Sequence, residues 1–186
     1  ASCPGSSLNG DGDLDDAVVQ LWPGSGPVVN LGRAATAVAL SATHVAAIVS
    51  EAAEGAADLN GDGDATDGVV GVYAIASGTW ASTGAAADRL AFCGAVLAFT
   101  TPESAEGADL NGDGDRDDDV LRLWNAATGT LVAVGQAADD FVCNDTIVKI
   151  VGARLPVGEL IALRGVMAMA ILTAICASQG LLRELP

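Results

Sequence analysis

Oxygen-bearing side chains recur at fixed spacing in three acidic loops, SLNGDGDLDD at 7–16, DLNGDGDATD at 58–67 and DLNGDGDRDD at 109–118. In each loop they stand at positions 1, 3, 5, 7 and 10. Calcium takes about six to eight oxygen ligands, and alternate residues of a tightly curled loop can direct their side chains to one centre. The loops therefore predict calcium sites, whose ligands are Asn9, Asp11, Asp13 and Asp16; Asp58, Asn60, Asp62, Asp64 and Asp67; and Asp109, Asn111, Asp113, Asp115 and Asp118.

Glycine occupies positions 4 and 6 of every loop. A curl this tight requires backbone conformations that are closed to most other residues, so one or both glycines should adopt them. The first loop has Ser7 where the others have Asp58 and Asp109, so we expect weaker calcium binding there or a substitute ligand. Magnesium is the alternative metal, although it prefers fewer protein ligands and more water. A solvated turn would explain one such loop, but three copies favour a metal.

The residue types that most enzymes use are scarce, since the chain has one histidine, His44, and one lysine, Lys149. The alternating run THVAAIVS favours a strand position for His44 over a role as general base. CxxC and HExxH zinc spacings are absent. The formal net charge of -16 would repel phosphates. We therefore expect a protein that is not an enzyme and has no nucleic-acid partner.

Each acidic loop begins a repeat of 51 residues, as the spacing of Asn9, Asn60 and Asn111 shows. A short alternating run follows at once, namely AVVQLW at 17–22, GVVGVY at 68–73 and DVLRLW at 119–124, and each predicts a strand. A glycine turn and a second apolar run predict a hairpin, and two further runs complete four strands per unit. The sequence thus predicts an all-β fold of about three four-stranded repeats, starting near residues 7, 58 and 109.

Units of this length with four strands match the blade of a β-propeller. Closed propellers usually need at least about four blades, and this chain supplies about three. The chain is then a propeller fragment, or its units stack as a sandwich or an open solenoid. Because aromatic residues make up only 4% of the chain, the core must consist mainly of small and β-branched side chains.

The acidic loops resemble the calcium loops of dockerins, thrombospondin type 3 repeats, FG-GAP propeller repeats and EF-hands. The longer unit SEAAEGAADLNGDGDATDGVVGVYAIASGTW at 50–80 is similar to tandem repeats of large bacterial secreted or surface proteins. The resemblance covers roughly residues 7–151 and implies structural calcium in a β-propeller-like array, with no specific catalytic activity. By position, the match to the start of the DxNxDxD pattern involves Asp58, Asn60, Asp62 and Asp64, and likewise Asp109, Asn111, Asp113 and Asp115.

Two departures from these families concern the end of the loop. An EF-hand has a glutamate at position 12, where this chain has valine, and the flanking runs alternate like strands, which disfavours an EF-hand. The last shared aspartate stands at position 10, one place later than in FG-GAP loops. The approach segments SEAAEGAA and PESAEGA offer candidate extra ligands, most of which we expect to be solvated turn residues: Glu51, Glu54, Glu103 and Glu106.

The chain is predicted to divide into the repeat array at 1–151 and a divergent hydrophobic tail at 152–186. Within the tail, 165–182 runs for 18 residues without charge, which is the lower limit for a membrane span. A packed C-terminal helix or a non-homologous end is favoured over an anchor, because the segment is only moderately apolar. Cys93 and Cys143 hold equivalent positions in their repeats, which favours a small buried residue, with a disulfide as the alternative.

The leading hypothesis is a calcium-binding structural or adhesion module of a secreted or cell-surface bacterial protein. Millimolar calcium outside the cell would fill weak sites, and the acidity suits that compartment. The alternative is a carbohydrate-binding or hydrolytic β-propeller, in which Trp22, Tyr73, Trp80 and Trp124 could stack on sugars. The expected partners are calcium and either carbohydrate or another surface protein, with a membrane only if 165–182 is an anchor.

Overall fold

A computed structural model describes residues 6–138 of the 186-residue chain. The last two runs of the third repeat, the hydrophobic segment 165–182 and Cys3, Cys143 and Cys176 lie outside this range, so the predicted domain boundary stays a prediction. No helix between residues 6 and 138 is long and apolar enough to cross a membrane. The strands are β1 (Val18–Leu21), β2 (Val29–Leu40), β3 (His44–Ser50), β4 (Gly68–Ala74), β5 (Thr79–Ala86), β6 (Arg89–Cys93), β7 (Val96–Pro102), β8 (Asp119–Asn125) and β9 (Thr130–Ala137), with a 3-10 helix at Ala52–Glu54 and the short helix α1 at Glu103–Glu106.

The strands form two antiparallel sheets, in the orders β1-β2-β3-β4-β5 and β6-β7-β8-β9. The first half of the long strand β2 pairs with β1, and Ala34 lies opposite Val18. The second half pairs with β3, and Ala35 lies opposite Val49. In the second repeat the equivalent of β2 is divided into β5 and β6, which lie in different sheets. The second repeat therefore has the four predicted strands. The first repeat has three, because its second and third predicted runs form the single strand β2.

The sheets do not coincide with the repeats, whereas the blade interpretation assigns the four strands of one repeat to one sheet. The second acidic loop joins β3 to β4, and the third joins β7 to β8. The five-stranded sheet therefore contains three strands of the first repeat and two of the second. The four-stranded sheet contains two strands of the second repeat and two of the third. Residues 6–138 form two such antiparallel sheets and no closed propeller.

The core lies on both faces of β3, in which five consecutive residues are buried. On one face, Ala46 and Ile48 join a cluster that includes Leu97 and Phe99 of the second sheet. On the other face, Val45, Ala47 and Val49 pack with residues of β1 and β2. Alternate residues of a strand point to opposite faces, so a strand covered on both sides reads as a continuous apolar run. The core is mainly alanine and valine, as the composition predicts.

A β-bulge interrupts the second strand of the hairpin that follows each acidic loop, namely β2, β5 and β9. The register shifts opposite β1, β4 and β8, and the bulged strands contain Gly32, Gly84 and Gly135, which have φ of +69°, +66° and +68°. A bulge leaves a backbone N–H without a partner in the ladder, and glycine accepts the left-handed conformation that it requires. In β2 and β5, a glutamate of an approach segment accepts a hydrogen bond from such an N–H group.

Candidate metal centre

Each acidic loop is built from successive turns in which an aspartate accepts a hydrogen bond from the backbone two residues later. In the third loop, Asp113 Oδ1 accepts from the Asp115 N–H at 3.2 Å, and Asp115 Oδ1 accepts from the Asp117 N–H at 3.1 Å. The first and second loops repeat this pattern. Short acidic side chains that bond to their own backbone favour turns over strands or helices. The loop conformation therefore follows from local sequence.

Both glycines of every loop have positive φ, which confirms the sequence prediction. The values are +91° and +104° in the first loop, +88° and +103° in the second, and +83° and +107° in the third. An added Cβ at these six positions would meet no atom within 4 Å, so space does not explain the glycines. Backbone conformation explains them, because residues with a side chain rarely adopt such φ values.

The aspartate at loop position 1 closes the loop on itself. Asp109 accepts hydrogen bonds from the Gly112 N–H at 2.6 Å and the Gly114 N–H at 3.0 Å, one on each carboxylate oxygen. Asp58 makes the same two contacts in the second loop. In the first loop Ser7 Oγ accepts from the Gly10 N–H at 2.8 Å and donates to Asp11. Serine can therefore close the loop, but it brings no charge to it.

Three groups of carboxylates converge, one in each loop. In the first loop, one oxygen each from Asp11, Asp13 and Asp16 lies within 4.8 Å of the others. The corresponding groups in the other loops include a residue from the approach segment. They are Glu51, Asp64 and Asp67 in the second loop and Glu103, Asp113, Asp115 and Asp118 in the third.

These groups could hold a metal ion, because carboxylate oxygens are the ligands that hard divalent cations prefer. The structure thus brings together the predicted residues at positions 7 and 10 in every loop, and those at position 5 in the first and third. Three predicted ligands lie outside the converging groups, namely Asp58, Asp62 and Asp109. Asp58 and Asp109 accept hydrogen bonds from glycine N–H groups instead. Asn9, Asn60 and Asn111 each donate from Nδ2 to the aspartate at position 10.

Glu51 and Glu103 are fully buried, so the expectation that they are solvated turn residues is wrong. The Glu51 N–H donates to the Asp67 carbonyl at 3.0 Å, which continues the pairing of β3 with β4 and turns the glutamate toward the loop. Glu51 Oε1 accepts from the Leu59 N–H at 2.5 Å, and Glu103 Oε1 accepts from the Leu110 N–H at 2.6 Å. Each buried carboxylate therefore secures the start of its acidic loop.

Glu54 and Glu106 are also largely shielded, and they satisfy the N–H groups released by the bulges. Glu54 Oε1 accepts from the Ala34 N–H at 2.6 Å, and Glu106 Oε1 accepts from the Ala86 N–H at 2.8 Å. The second oxygen of Glu106 contacts Arg122 at 3.3 Å. The two glutamates of each approach segment thus make different contacts, since the first faces the acidic loop and the second binds a bulged strand, β2 for Glu54 and β5 for Glu106.

Burial and neighbouring negative charges raise the pKa values of the aspartates at position 10. Burial, together with the charges of Asp62 and Asp64, raises the pKa of Asp67 to about 6. Burial raises the pKa of Asp16 in the same direction. For Asp118, the hydrogen bond from Asn111 lowers the pKa, but the contact with Asp113, burial and neighbouring charges outweigh it and raise the pKa. A divalent cation would reverse this repulsion.

The aromatic residues suggested for sugar stacking have different environments. Trp80 is half-buried, and its Nε1–H donates to the Leu31 carbonyl at 2.8 Å while its ring lies 5.4 Å from that of Tyr73. Trp124 belongs to the core between the sheets, at the edge of the His44 ring, and His44 begins β3 as the alternating pattern predicts. Trp22 is 63% exposed.

Comparison with models of known protein families gives no match, and a search of curated proteins gives none either. The resemblance to particular families of calcium loops therefore stays a prediction. The structure supports a coarser description, an all-β protein with acidic loops that could hold a metal ion.

Proposed function

We propose that this chain is a calcium-stabilised β-repeat module without catalytic activity, which serves as a structural or adhesive part of a secreted or cell-surface bacterial protein. The observation that supports it most is the convergence of three or four carboxylate oxygens within 4.8 Å in three successive loops. Without a cation the converging carboxylates repel one another, and in the second loop the charges of Asp62 and Asp64 add to burial in raising the pKa of Asp67. A metal that binds the folded loops and not the unfolded chain would stabilise the fold.

Calcium is the favoured ion because of the number and type of oxygens near each group. In the third loop, four carboxylates converge beside the amide of Asn111, which suits an ion that accepts about six to eight oxygen ligands. Magnesium demands a smaller octahedral shell and retains several waters. The second and third loops also lie where a bound calcium ion would act on the fold, since one joins β3 to β4 and the other joins β7 to β8, which are neighbouring strands of one sheet in each case.

A location outside the cell agrees with two further features. Cys93 forms a disulfide bond, and disulfides persist mainly in oxidising compartments. The formal net charge of -16 would be partly neutralised by the calcium that is abundant there.

The test is a calorimetric calcium titration of the full chain after chelation, followed by thermal unfolding with and without calcium. We expect two or three sites, with a weaker first site. At calcium one hundred times above Kd, each filled site adds about 2.7 kcal/mol to the free energy of unfolding. Absence of binding at millimolar calcium, or a melting temperature that chelator leaves unchanged, would contradict the proposal.

The carbohydrate-binding or hydrolytic propeller remains the second proposal, and Trp22 is the one observation in its favour. It is the exposed tryptophan of the described residues, whereas Trp80 and Trp124 are engaged in packing. A glycan array probed with the wild type and with Trp22→Ala would support the idea if a binding signal were lost in the variant. No signal on a broad array would count against it.

A further inference from the structure

Glu103 has one carboxylate oxygen that the protein leaves without a partner. The residue is fully buried at the start of α1, directly after the central strand β7. Its Oε1 accepts hydrogen bonds from the Leu110 N–H at 2.6 Å and the Asn111 N–H at 3.0 Å. Its Oε2 is buried and has no hydrogen-bond partner. A buried charged oxygen without a partner is costly, so such an atom indicates a missing ligand.

The same carboxylate lies at the acidic group of the third loop. One of its oxygens is within 4.8 Å of oxygens from Asp113, Asp115 and Asp118. Because Oε1 is occupied by two backbone N–H groups, Oε2 is the oxygen that is available to a cation. We propose that Glu103 is a direct calcium ligand through Oε2. Glu51 holds the equivalent place in the second loop, but its Oε2 accepts a hydrogen bond from the Asp67 N–H at 3.1 Å, so the assignment concerns Glu103 alone. This inference rests on the proposed calcium-binding function.

Such a ligand would replace the one that the loop sequence lacks. EF-hand loops end in a bidentate glutamate at position 12, where this chain has valine. In this chain the glutamate precedes the loop. The hydrogen bond from the Glu103 N–H to the Asp118 carbonyl, at 2.9 Å, places the glutamate beside the end of the loop. The approach segment is then part of the metal site, and calcium would tie the end of β7 to the beginning of β8.

Glu103→Gln is the test variant, because glutamine keeps an oxygen for the two N–H donors and removes the charge. We expect it to lose one calcium site, or to weaken that site by about tenfold or more, in calorimetry of the full chain. Glu106→Gln is the matched control, since Glu106 lies on the same helix, contacts Arg122 and does not belong to the acidic group. Its calcium affinities should equal those of the wild type.

A second measurement does not depend on the folding of a variant. The side-chain carboxyl carbon resonance of Glu103 in the wild-type protein should shift during a calcium titration, while that of Glu106 should not. If the wild type binds calcium but Glu103→Gln binds it equally well and the resonance is unmoved, the ligand assignment is wrong and calcium binding stands. If the wild type binds no calcium, the proposed function itself fails.

Discussion

Asn60 of the second loop donates a hydrogen bond of 3.1 Å from Nδ2 to the backbone carbonyl of Ala105, in the approach segment of the third loop. Asn9 of the first loop makes the equivalent bond, at 2.7 Å, to Ala53 in the approach to the second. The first and second loops are thus each bonded to the segment that contains the buried glutamate of the next loop. Metal binding at one loop would therefore order part of its neighbour, which predicts coupling between sites.

The first prediction concerns this junction. Asn60→Asp keeps an oxygen for the metal but removes the donor to Ala105 and faces a carboxylate toward that carbonyl and toward Asp67. We expect the free energy of unfolding of the chelated protein to fall by about 1–3 kcal/mol, the cost of losing a buried partner. Thermal unfolding in chelator measures it. Asn9→Asp should act alike at the first junction, and an unchanged melting temperature in both variants would mean that the bonds to the Ala53 and Ala105 carbonyls do not stabilise the fold.

Gly63→Ala tests whether loop conformation limits calcium binding. Its φ is +103°, and an added Cβ would meet nothing within 4 Å, so the substitution introduces strain without a clash. We expect a cost of about 1–2 kcal/mol, seen as a loss of about tenfold in the calcium affinity of the second site by calorimetry. Ala65→Gly is the control, because Ala65 has no positive φ. Equal affinities in Gly63→Ala and the wild type would show that the loop tolerates the change.

The raised pKa of Asp67 predicts how pH acts on the metal-free protein. Its folded value of about 6 lies above the ordinary 3.8, so the folded chain binds this proton more tightly than the unfolded chain does. The contribution of Asp67 to stability is therefore full below about pH 4 and is lost as pH rises through about 6. Calcium reverses this pH dependence. The calcium affinity of the second loop should fall as pH drops below about 6, because protons compete with the metal for the Asp67 carboxylate.

Asp67→Asn isolates this effect. At pH 7 in chelator the variant should be more stable than the wild type by on the order of 1 kcal/mol, after allowance for solvent screening, and the difference should vanish near pH 4. Chemical denaturation across this pH range measures it. Parallel curves for the two proteins would mean that Asp67 ionises normally.

Trp80→Phe tests the packing role of the indole. Phenylalanine keeps an aromatic ring beside Tyr73 but removes the N–H donor to the Leu31 carbonyl. We expect a loss of about 1 kcal/mol, or a melting temperature lower by about 2–4 °C. Trp22→Phe is the control, because Trp22 is largely exposed and should show no change. If both variants melt alike at the wild-type temperature, the bond to Leu31 does not stabilise the fold.

The features that could be predicted from the amino-acid sequence are those that depend on interactions between residues close together in the chain. The strands follow from alternation with a period of two, and the positive φ of glycines such as Gly61 and Gly63 follows from turns that close within a few residues. The all-β class and the candidate ligands at positions 7 and 10 could therefore be read from the chain, since their geometry is settled among near neighbours.

Two features could not be predicted from local sequence: which repeats share a sheet, and which glutamates face a loop. Glu51 and Glu54 are three residues apart and look equivalent in sequence, yet one is buried against the acidic loop and the other caps a bulge in β2. Trp80 looks like an isolated aromatic residue until the packing of β5 brings it to the Leu31 carbonyl. These contacts join residues that are distant in the chain, so they depend on strand register and burial, which no local spacing specifies.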